Sequence, residues 1–110
     1  MKKILFAVLA CGALVSGYAF AASGGKNLKI LPKDMSKKEI KTTMKGIAKS
    51  LGVQCDHCHD TNDMAKDTKH KEVARAMMRM TMEMNKKYFK GKQRVTCNTC
   101  HRGEAEPPKN

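Results

Sequence analysis

The sequence has very few aromatic residues: among its 110 residues there are no tryptophans, two tyrosines and three phenylalanines. Single-stranded nucleic acids stack on aromatic side chains, and the chain has no recognisable nucleic-acid-binding motif, so nucleic acid is not expected as a partner. A short chain that is poor in large apolar side chains also cannot bury a generous core alone. Some other apolar group must supplement it.

The chain also has no cysteine to spare for a disulfide. Five cysteines are present, and four of them form two copies of the pattern C-x-x-C-H, at residues 55–59 and 97–101. The fifth, Cys11, lies in a segment that we expect to be removed. The cysteines of the mature protein therefore all belong to the two motifs.

The C-x-x-C-H pattern is typical of covalent haem c attachment. Its two thiols can reach the two vinyl groups along one edge of a porphyrin, and the histidine that follows can turn back under the ring to ligate the iron. The sequence therefore predicts two haem c groups, with His59 and His101 as the proximal iron ligands. The residues expected to bind haem covalently are Cys55, Cys58, Cys97 and Cys100. Two porphyrins would also supply the missing apolar surface, which predicts a poorly folded apo form.

Two other kinds of site use paired cysteines. Zinc ribbons usually place their pairs closer together than Cys58 and Cys97 stand here, and they need no histidine after each pair. A thioredoxin-like redox site needs a strand–helix–strand scaffold, of which the sequence shows no sign. Haem attachment is therefore the favoured interpretation.

Residues 1–21 are typical of a signal peptide. Lys2 and Lys3 are followed by an apolar run over residues 4–15 and by the small-x-small cleavage site Ala19-Phe20-Ala21. The protein is therefore expected in the periplasm, with a flexible leader at residues 22–35, a di-haem domain at 36–103 and an irregular tail at 104–110. Lipid anchoring at Cys11 is disfavoured because the apolar run continues past it. An uncleaved anchor is disfavoured because a span needs about 20 apolar residues.

Positive charge predominates, with a formal net charge of +12. Removal of Lys2 and Lys3 with the signal peptide takes away two charges and leaves +10. Such an excess favours acidic redox partner proteins, although it could equally serve only to keep the surface soluble. No small-molecule substrate is expected, and the sequence does not indicate an oligomeric state.

A first helix is expected to begin after Ser36, which forms a capping box with Glu39, and to end at Gly52. Its apolar stripe consists of Ile40, Met44, Ile47, Ala48 and Leu51. Met44 stands 11 residues before Cys55 and is the only sulfur in the middle of the stripe. A methionine at this spacing is usually core filler, but a haem needs a sixth ligand or an open site, so we favour Met44 as the distal ligand of the first haem.

A longer helix is expected to start after a cap at Asp67 or Thr68 and to run to about Phe89, with Gly91 as its stop. Its more apolar face consists of His70, Val73, Met77, Met80, Thr81, Met84 and Tyr88. Periodicity alone leaves Met77, Met80, Met84 and His70 as candidate distal ligands of the second haem.

Taken together, these residues resemble the haem-binding repeats of the cytochrome c subunit of photosynthetic reaction centres, and small di-haem cytochromes related to half of that subunit. The resemblance covers roughly residues 31–103. It rests on Met44 with residues 50–55, on residues 74–80 with Met84, Asn85 and Tyr88, and on residues 95–103.

The resemblance implies that each haem packs against a helix that supplies its distal ligand. The first helix methionine matches Met44. In the second unit, the first methionine of the pattern A-R-x-M-x-x-M falls on Met77, which leaves Met80 as a packing residue. The subunit has four motifs where this chain has two, and the histidine that ligates one of its haems has no counterpart between Lys90 and Thr96, so a photosynthetic role is not implied.

The sequence therefore predicts an all-α, small multihaem cytochrome c, with two main helices each followed by a C-x-x-C-H motif. Its expected function is electron transfer by two low-spin haems with histidine and methionine ligands, rather than catalysis. The alternatives are a haem enzyme, a peroxidase or reductase with one open iron site, and a building unit of an electron-conducting assembly.

Overall fold

The computed structural model describes residues 24–109, so the expected signal peptide and Cys11 lie outside the described residues. Three α-helices are present: α1 (Lys37–Leu51), α2 (Lys69–Phe89) and α3 (Cys97–His101), with a 3-10 turn at Cys55–His57 between α1 and α2. Within residues 24–109 there is no strand, only an isolated bridge between Asp60 and Asp63. The predicted all-α class is confirmed.

Helix α1 begins and ends at the residues that the sequence indicated. The Ser36 hydroxyl oxygen accepts the Glu39 N–H at 3.3 Å, and the Glu39 carboxylate accepts the Ser36 N–H at 2.8 Å. Hydrogen bonds from the Ser36 hydroxyl and backbone lower the pKa of Glu39, because they stabilise its charged form. At the other end, Gly52 adopts a left-handed conformation with φ 64°. This is the usual glycine stop of a helix.

Helix α2 is capped by Thr68 rather than by Asp67, and the same hydroxyl ties the helix to the first motif. Its oxygen accepts the Lys71 N–H at 3.2 Å, and its O–H donates to the Cys58 carbonyl at 2.6 Å. The helix ends at Lys90, which is left-handed with φ 54°, and Gly91 follows with φ 78°. The stop predicted at Gly91 is therefore one residue past the helix cap.

Composition predicted a flexible leader before α1, but in the structure this segment is bonded to the loop that precedes α2. The Asn27 side-chain amide donates to the Ala65 carbonyl and to the Asp67 carboxylate, both at 2.7 Å. The Lys29 ammonium lies 2.7 Å from the same carboxylate. Residues 24–35 form no helix or strand, and two of their side chains find partners 38 to 40 residues further along the chain.

The helices do not bury an apolar core among themselves. No apolar side chain of residues 24–109 is buried, and the only buried residue in this range is the polar Asn85. The α1 stripe is half-buried, whereas several side chains of α2 are exposed, including Val73, Met77, Met80, Met82, Tyr88 and Phe89. Both helices therefore present apolar surface that a further apolar group would cover. None of the described helices is long and apolar enough to span a membrane.

Candidate haem-binding sites

The first motif folds as a tight 3-10 turn. The N–H groups of Cys58 and His59 both donate to the Cys55 carbonyl, at 3.3 and 3.0 Å. The turn brings the two thiols and the following imidazole together within five residues. Cys55 is exposed and Cys58 is half-buried, and this burial raises the pKa of the Cys58 thiol because it disfavours the thiolate.

The second motif forms the short helix α3. The Thr99 hydroxyl, at a variable position of the motif, accepts the Thr96 N–H at 2.9 Å where the helix begins. The helix ends at Arg102, which is left-handed with φ 50°, and Gly103 follows with φ 88°. The chain therefore turns sharply directly after His101.

Both motif histidines donate a hydrogen bond to a backbone carbonyl. The Nδ1 atom of His59 lies 3.0 Å from the Met64 oxygen, and the Nδ1 atom of His101 lies 2.9 Å from the Glu104 oxygen. A carbonyl oxygen can only accept, so Nδ1 carries the proton in each ring. In the neutral form of each imidazole the lone pair is then on Nε2, which can ligate a metal.

The loop after the first motif is held by charged side chains. Asp67 accepts hydrogen bonds from Lys29 at 2.7 Å and from Arg75 at 2.8 Å, while Asp60 pairs with Lys66 at 3.0 Å. Hydrogen bonds from Lys29 and then from Arg75 hold the pKa of Asp67 far below its usual range. The hydrogen bond from Lys66 likewise lowers the pKa of Asp60.

The second motif is held instead by the backbone at the end of α1. The Gly103 N–H donates to the Ser50 carbonyl at 2.8 Å. A Cβ atom at Gly52 would overlap the carbonyl oxygen of Gly103. Glycine at position 52 thus serves both the left-handed stop of α1 and the close approach of the two chain segments.

Asn85 fixes the segment that leads into the second motif. Its side chain is 8% exposed, its amide donates to the Val95 carbonyl at 2.8 Å, and its oxygen accepts the N–H groups of Arg94 and Val95 at 2.9 and 2.8 Å. These bonds join the last turns of α2 to the residues just before Cys97. The orientation of the second motif relative to α2 therefore depends on this side chain.

The methionines considered as distal ligands lie along the two long helices. Met44 and Met84 are half-buried, in α1 and α2, whereas Met77 and Met80 are 40% and 44% exposed. None of these four methionines is fully buried. The assignment of Met44 and Met77 as ligands stays a prediction.

His70 lies beside the first motif. Its Nδ1 atom donates to the His57 carbonyl at 2.7 Å, and the two rings stack with centroids 4.4 Å apart and an interplanar angle of 11°. His70 was a candidate distal ligand of the second haem from periodicity alone. In the structure it contacts His57, a variable residue of the first motif, and its role as a ligand stays a prediction.

The arrangement does not fit the zinc alternative. In the part of the chain that the structure describes, no three His, Cys, Asp or Glu side chains converge to hold a metal ion, and the four motif thiols are free. A structural zinc site needs about four such ligands around one ion. A thioether-linked haem instead needs two thiols and one imidazole from each motif, which is the donor set present.

Comparison with known proteins identifies the family. The family described as Photosynthetic reaction centre cytochrome C subunit matches residues 10–110. The chain belongs to this family. One relative, the photosynthetic reaction center cytochrome c subunit of Rubrivivax gelatinosus (strain NBRC 100245 / IL144), is 41% identical over 56 residues, in an alignment that covers 48% of this chain. The chain spans only 15% of the length of that relative. No solved structure is significantly similar to it.

Several features of this family member were not predicted from the sequence. The carbonyl partners of the two histidines belong to the backbone, so residue types do not reveal them. The contact between Gly52 and Gly103 joins positions far apart in the chain. The glycines themselves were the only sequence signal for this contact. Asn85 was noted in the resemblance, but no role followed from its position.

Proposed function

We propose that this chain is a periplasmic electron-transfer protein that carries two covalently bound haem c groups and is not an enzyme. The observation that carries the proposal is the pair of C-x-x-C-H turns, each with a histidine whose Nδ1 donates to a backbone carbonyl. Membership of a cytochrome c family supports it. Haem c, when bound, supplies a reversible one-electron couple at its iron.

In this proposal the four motif cysteines would hold the haem groups through thioether bonds, and His59 and His101 would ligate iron through Nε2. The carbonyls of Met64 and Glu104 orient the two imidazoles and raise their basicity. The exposed apolar side chains of α2 and the half-buried stripe of α1 would exclude water from the haem groups. The chain would then complete its core with its cofactors.

We further propose that Met44 and Met77 are the distal ligands. A methionine ligand favours the reduced iron more than a second histidine would, and therefore raises the reduction potential. If a histidine and a methionine of the protein ligated each iron, neither iron would offer a free site to a substrate. This distinguishes a carrier from an enzyme with an open iron.

The Met77→Ala variant tests this assignment. We expect it to lose half of the methionine–iron absorption of the oxidised protein, to lower one of the two potentials and to bind cyanide or carbon monoxide at one iron. The control is Met80→Ala on the same helix, which should keep both methionine–iron bonds. It should lower only the free energy of unfolding, by about 2 to 5 kcal/mol if the haem buries the side chain. If the losses appear in Met80→Ala or Met84→Ala instead, Met77 is not the ligand.

The distribution of charge supports an acidic partner that docks near the second motif. The segment of residues 86–102, which we call the basic segment, contains six cations and no acidic residue. All six are exposed, and none forms an ion pair with another described residue. They are Lys86, Lys87, Lys90, Lys92, Arg94 and Arg102. By contrast, residues 56–72 contain five acidic residues and three lysines.

A charge-reversal pair tests this docking surface. Lys86→Glu with Lys92→Glu should slow electron transfer to an acidic redox protein at low ionic strength, and the difference from wild type should shrink as salt is added. The control, Lys41→Glu with Lys45→Glu on α1, changes the net charge equally at exposed positions. Equal slowing by both pairs would mean that only net charge matters, and the proposed surface would be wrong.

A further inference from the structure

The Lys71 ammonium lies inside the loop that follows the first motif. Its Nζ atom donates to three consecutive backbone carbonyls, those of Met64, Ala65 and Lys66, at 3.3, 3.1 and 2.8 Å. An ammonium has three protons, so these three bonds use all of its donors. Burial lowers the pKa of Lys71, and the positive charge of Arg75 adds to this effect. Three carbonyl acceptors nevertheless favour the charged form.

One of these carbonyls is shared with the first proximal histidine. The Met64 oxygen accepts both the His59 Nδ1–H, at 3.0 Å, and the Lys71 ammonium. A carbonyl oxygen has two lone pairs and can accept both bonds. In the second motif, the Glu104 oxygen accepts the His101 Nδ1–H, and no described cation donates to it. The two histidines therefore differ because the carbonyl that accepts from His59 also accepts from an ammonium, whereas the carbonyl that accepts from His101 does not.

No carboxylate of residues 24–109 forms an ion pair with Lys71. Among the ion pairs of the described residues, the nearby Asp67 is engaged by Lys29 and Arg75, and none includes Lys71. The positive charge beside the Met64 carbonyl is therefore not compensated by an ion pair.

We propose that Lys71 is a positioning residue that raises the reduction potential of the first haem by acting on His59 through the Met64 carbonyl. The inference rests on the proposed function, since it requires haem at the first motif. A carbonyl that attracts the Nδ1 proton makes the imidazole more electron-donating, which favours oxidised iron. An ammonium on the same oxygen weakens that attraction and adds positive charge nearby. Both effects favour reduced iron.

The direction in which the reduction potential of the first haem changes when Lys71 is replaced distinguishes two roles. Lys71 could tune the potential, or it could only support the loop. If Lys71 only held the loop together, its loss would move the Met64 carbonyl away from His59 and weaken the hydrogen bond. The imidazole would then donate less, and the potential would stay the same or rise. If Lys71 tunes the acceptor, loss of its charge lowers the potential.

The test is an NMR-monitored redox titration of the holoprotein, in which the methyl resonances of each haem report its own oxidation state. In Lys71→Met we expect a lower potential for the first haem only, with a change of up to about tenfold in its reduction equilibrium, or about 59 mV for one electron. Lys71→Gln, which keeps N–H donors without the charge, should shift it in the same direction. Lys71→Arg should restore the wild-type value.

Lys69→Met is the matched control, because Lys69 is exposed in the same helical turn and donates no side-chain hydrogen bond within the described residues. It should leave both potentials unchanged. An unchanged or higher first potential in Lys71→Met and Lys71→Gln, or an equal shift in Lys69→Met, would overturn the inference. Failure of the proposed function would be seen separately, in the wild-type protein. That protein would then lack two covalent haems, whatever the potentials of the variants.

Discussion

The two motifs share one sequence pattern but are held in place by different means. The first is a 3-10 turn whose following loop is closed by side chains: Asp60 with Lys66, and Asp67 with Lys29 and Arg75. The second is a turn of α-helix that is fixed through backbone groups of Ser50 and Gly103 and through Asn85. The feature common to both is the bond from Nδ1 to a carbonyl. The two motifs therefore share the orientation of the imidazole and not the type of turn.

The route to that carbonyl also differs. The partner of His59 is five residues further along, across a polar loop, whereas the partner of His101 is three residues further along, after left-handed Arg102 and Gly103. Ion pairs of Asp60 and Asp67 close the loop after His59, whereas two left-handed residues form the turn after His101. The first motif should therefore depend on pH and charge, and the second on glycine and on close packing.

The largest effect is expected from Gly52→Ala, which breaks the contact between α1 and the second motif. The left-handed conformation costs a non-glycine residue about 1 to 2 kcal/mol, and relief of the overlap with Gly103 adds a cost typical of overpacking, about 1 to 3 kcal/mol. Denaturant unfolding of the holoprotein should show a lower free energy of unfolding. The spectrum of the second haem should change more than that of the first.

Gly46→Ala is the matched control for that variant. Gly46 lies inside α1, and a Cβ atom there meets nothing within 4 Å. Alanine should stabilise the helix by about 0.5 to 1 kcal/mol. If Gly52→Ala were as stable as Gly46→Ala, the contact with Gly103 would not hold the second motif.

A smaller effect is expected from Asn85→Ala. The change leaves the N–H groups of Arg94 and Val95 and the Val95 carbonyl without their partner, at a cost of about 1 to 3 kcal/mol. Circular dichroism in the haem region should show a disturbed second haem and a normal first haem. Asn98→Ala, at an exposed position within the second motif, should have little effect, and a first haem disturbed as much as the second would contradict the role of Asn85.

The smallest effect concerns pH and the first motif. The pKa of Asp67 is lowered in the folded protein, so its stabilising contribution is complete above the ordinary carboxyl pKa of about 3.9 and is lost as pH falls below it. The melting temperature of Asp67→Asn should therefore lie below wild type at pH 6 and approach it in acid. Asp34→Asn removes no ion pair in the described part of the chain, so the difference between its melting temperature and that of wild type should not change with pH. If the melting temperature of Asp67→Asn differed from that of wild type by the same amount at every pH, ionisation of Asp67 would not contribute to stability.

The sequence predicted the helices better than it predicted their connections. The Ser36 capping box, the Gly52 stop and the end of α2 near Phe89 follow from local chemistry and were confirmed. The bond between Ser50 and Gly103 and the pairing of Asn27 with Asp67 join distant segments, which periodicity does not detect. The choice of Met77 came from the family resemblance and not from the helix face, because several sulfurs share that face.

The most direct measurement is the mass of the exported protein under denaturing conditions. The account predicts the polypeptide of residues 22–110 plus two haem groups, both retained when the chain unfolds, because each is held by two thioether bonds. Loss of either haem on denaturation, a mass with only one haem, or stoichiometric zinc in place of iron would contradict it.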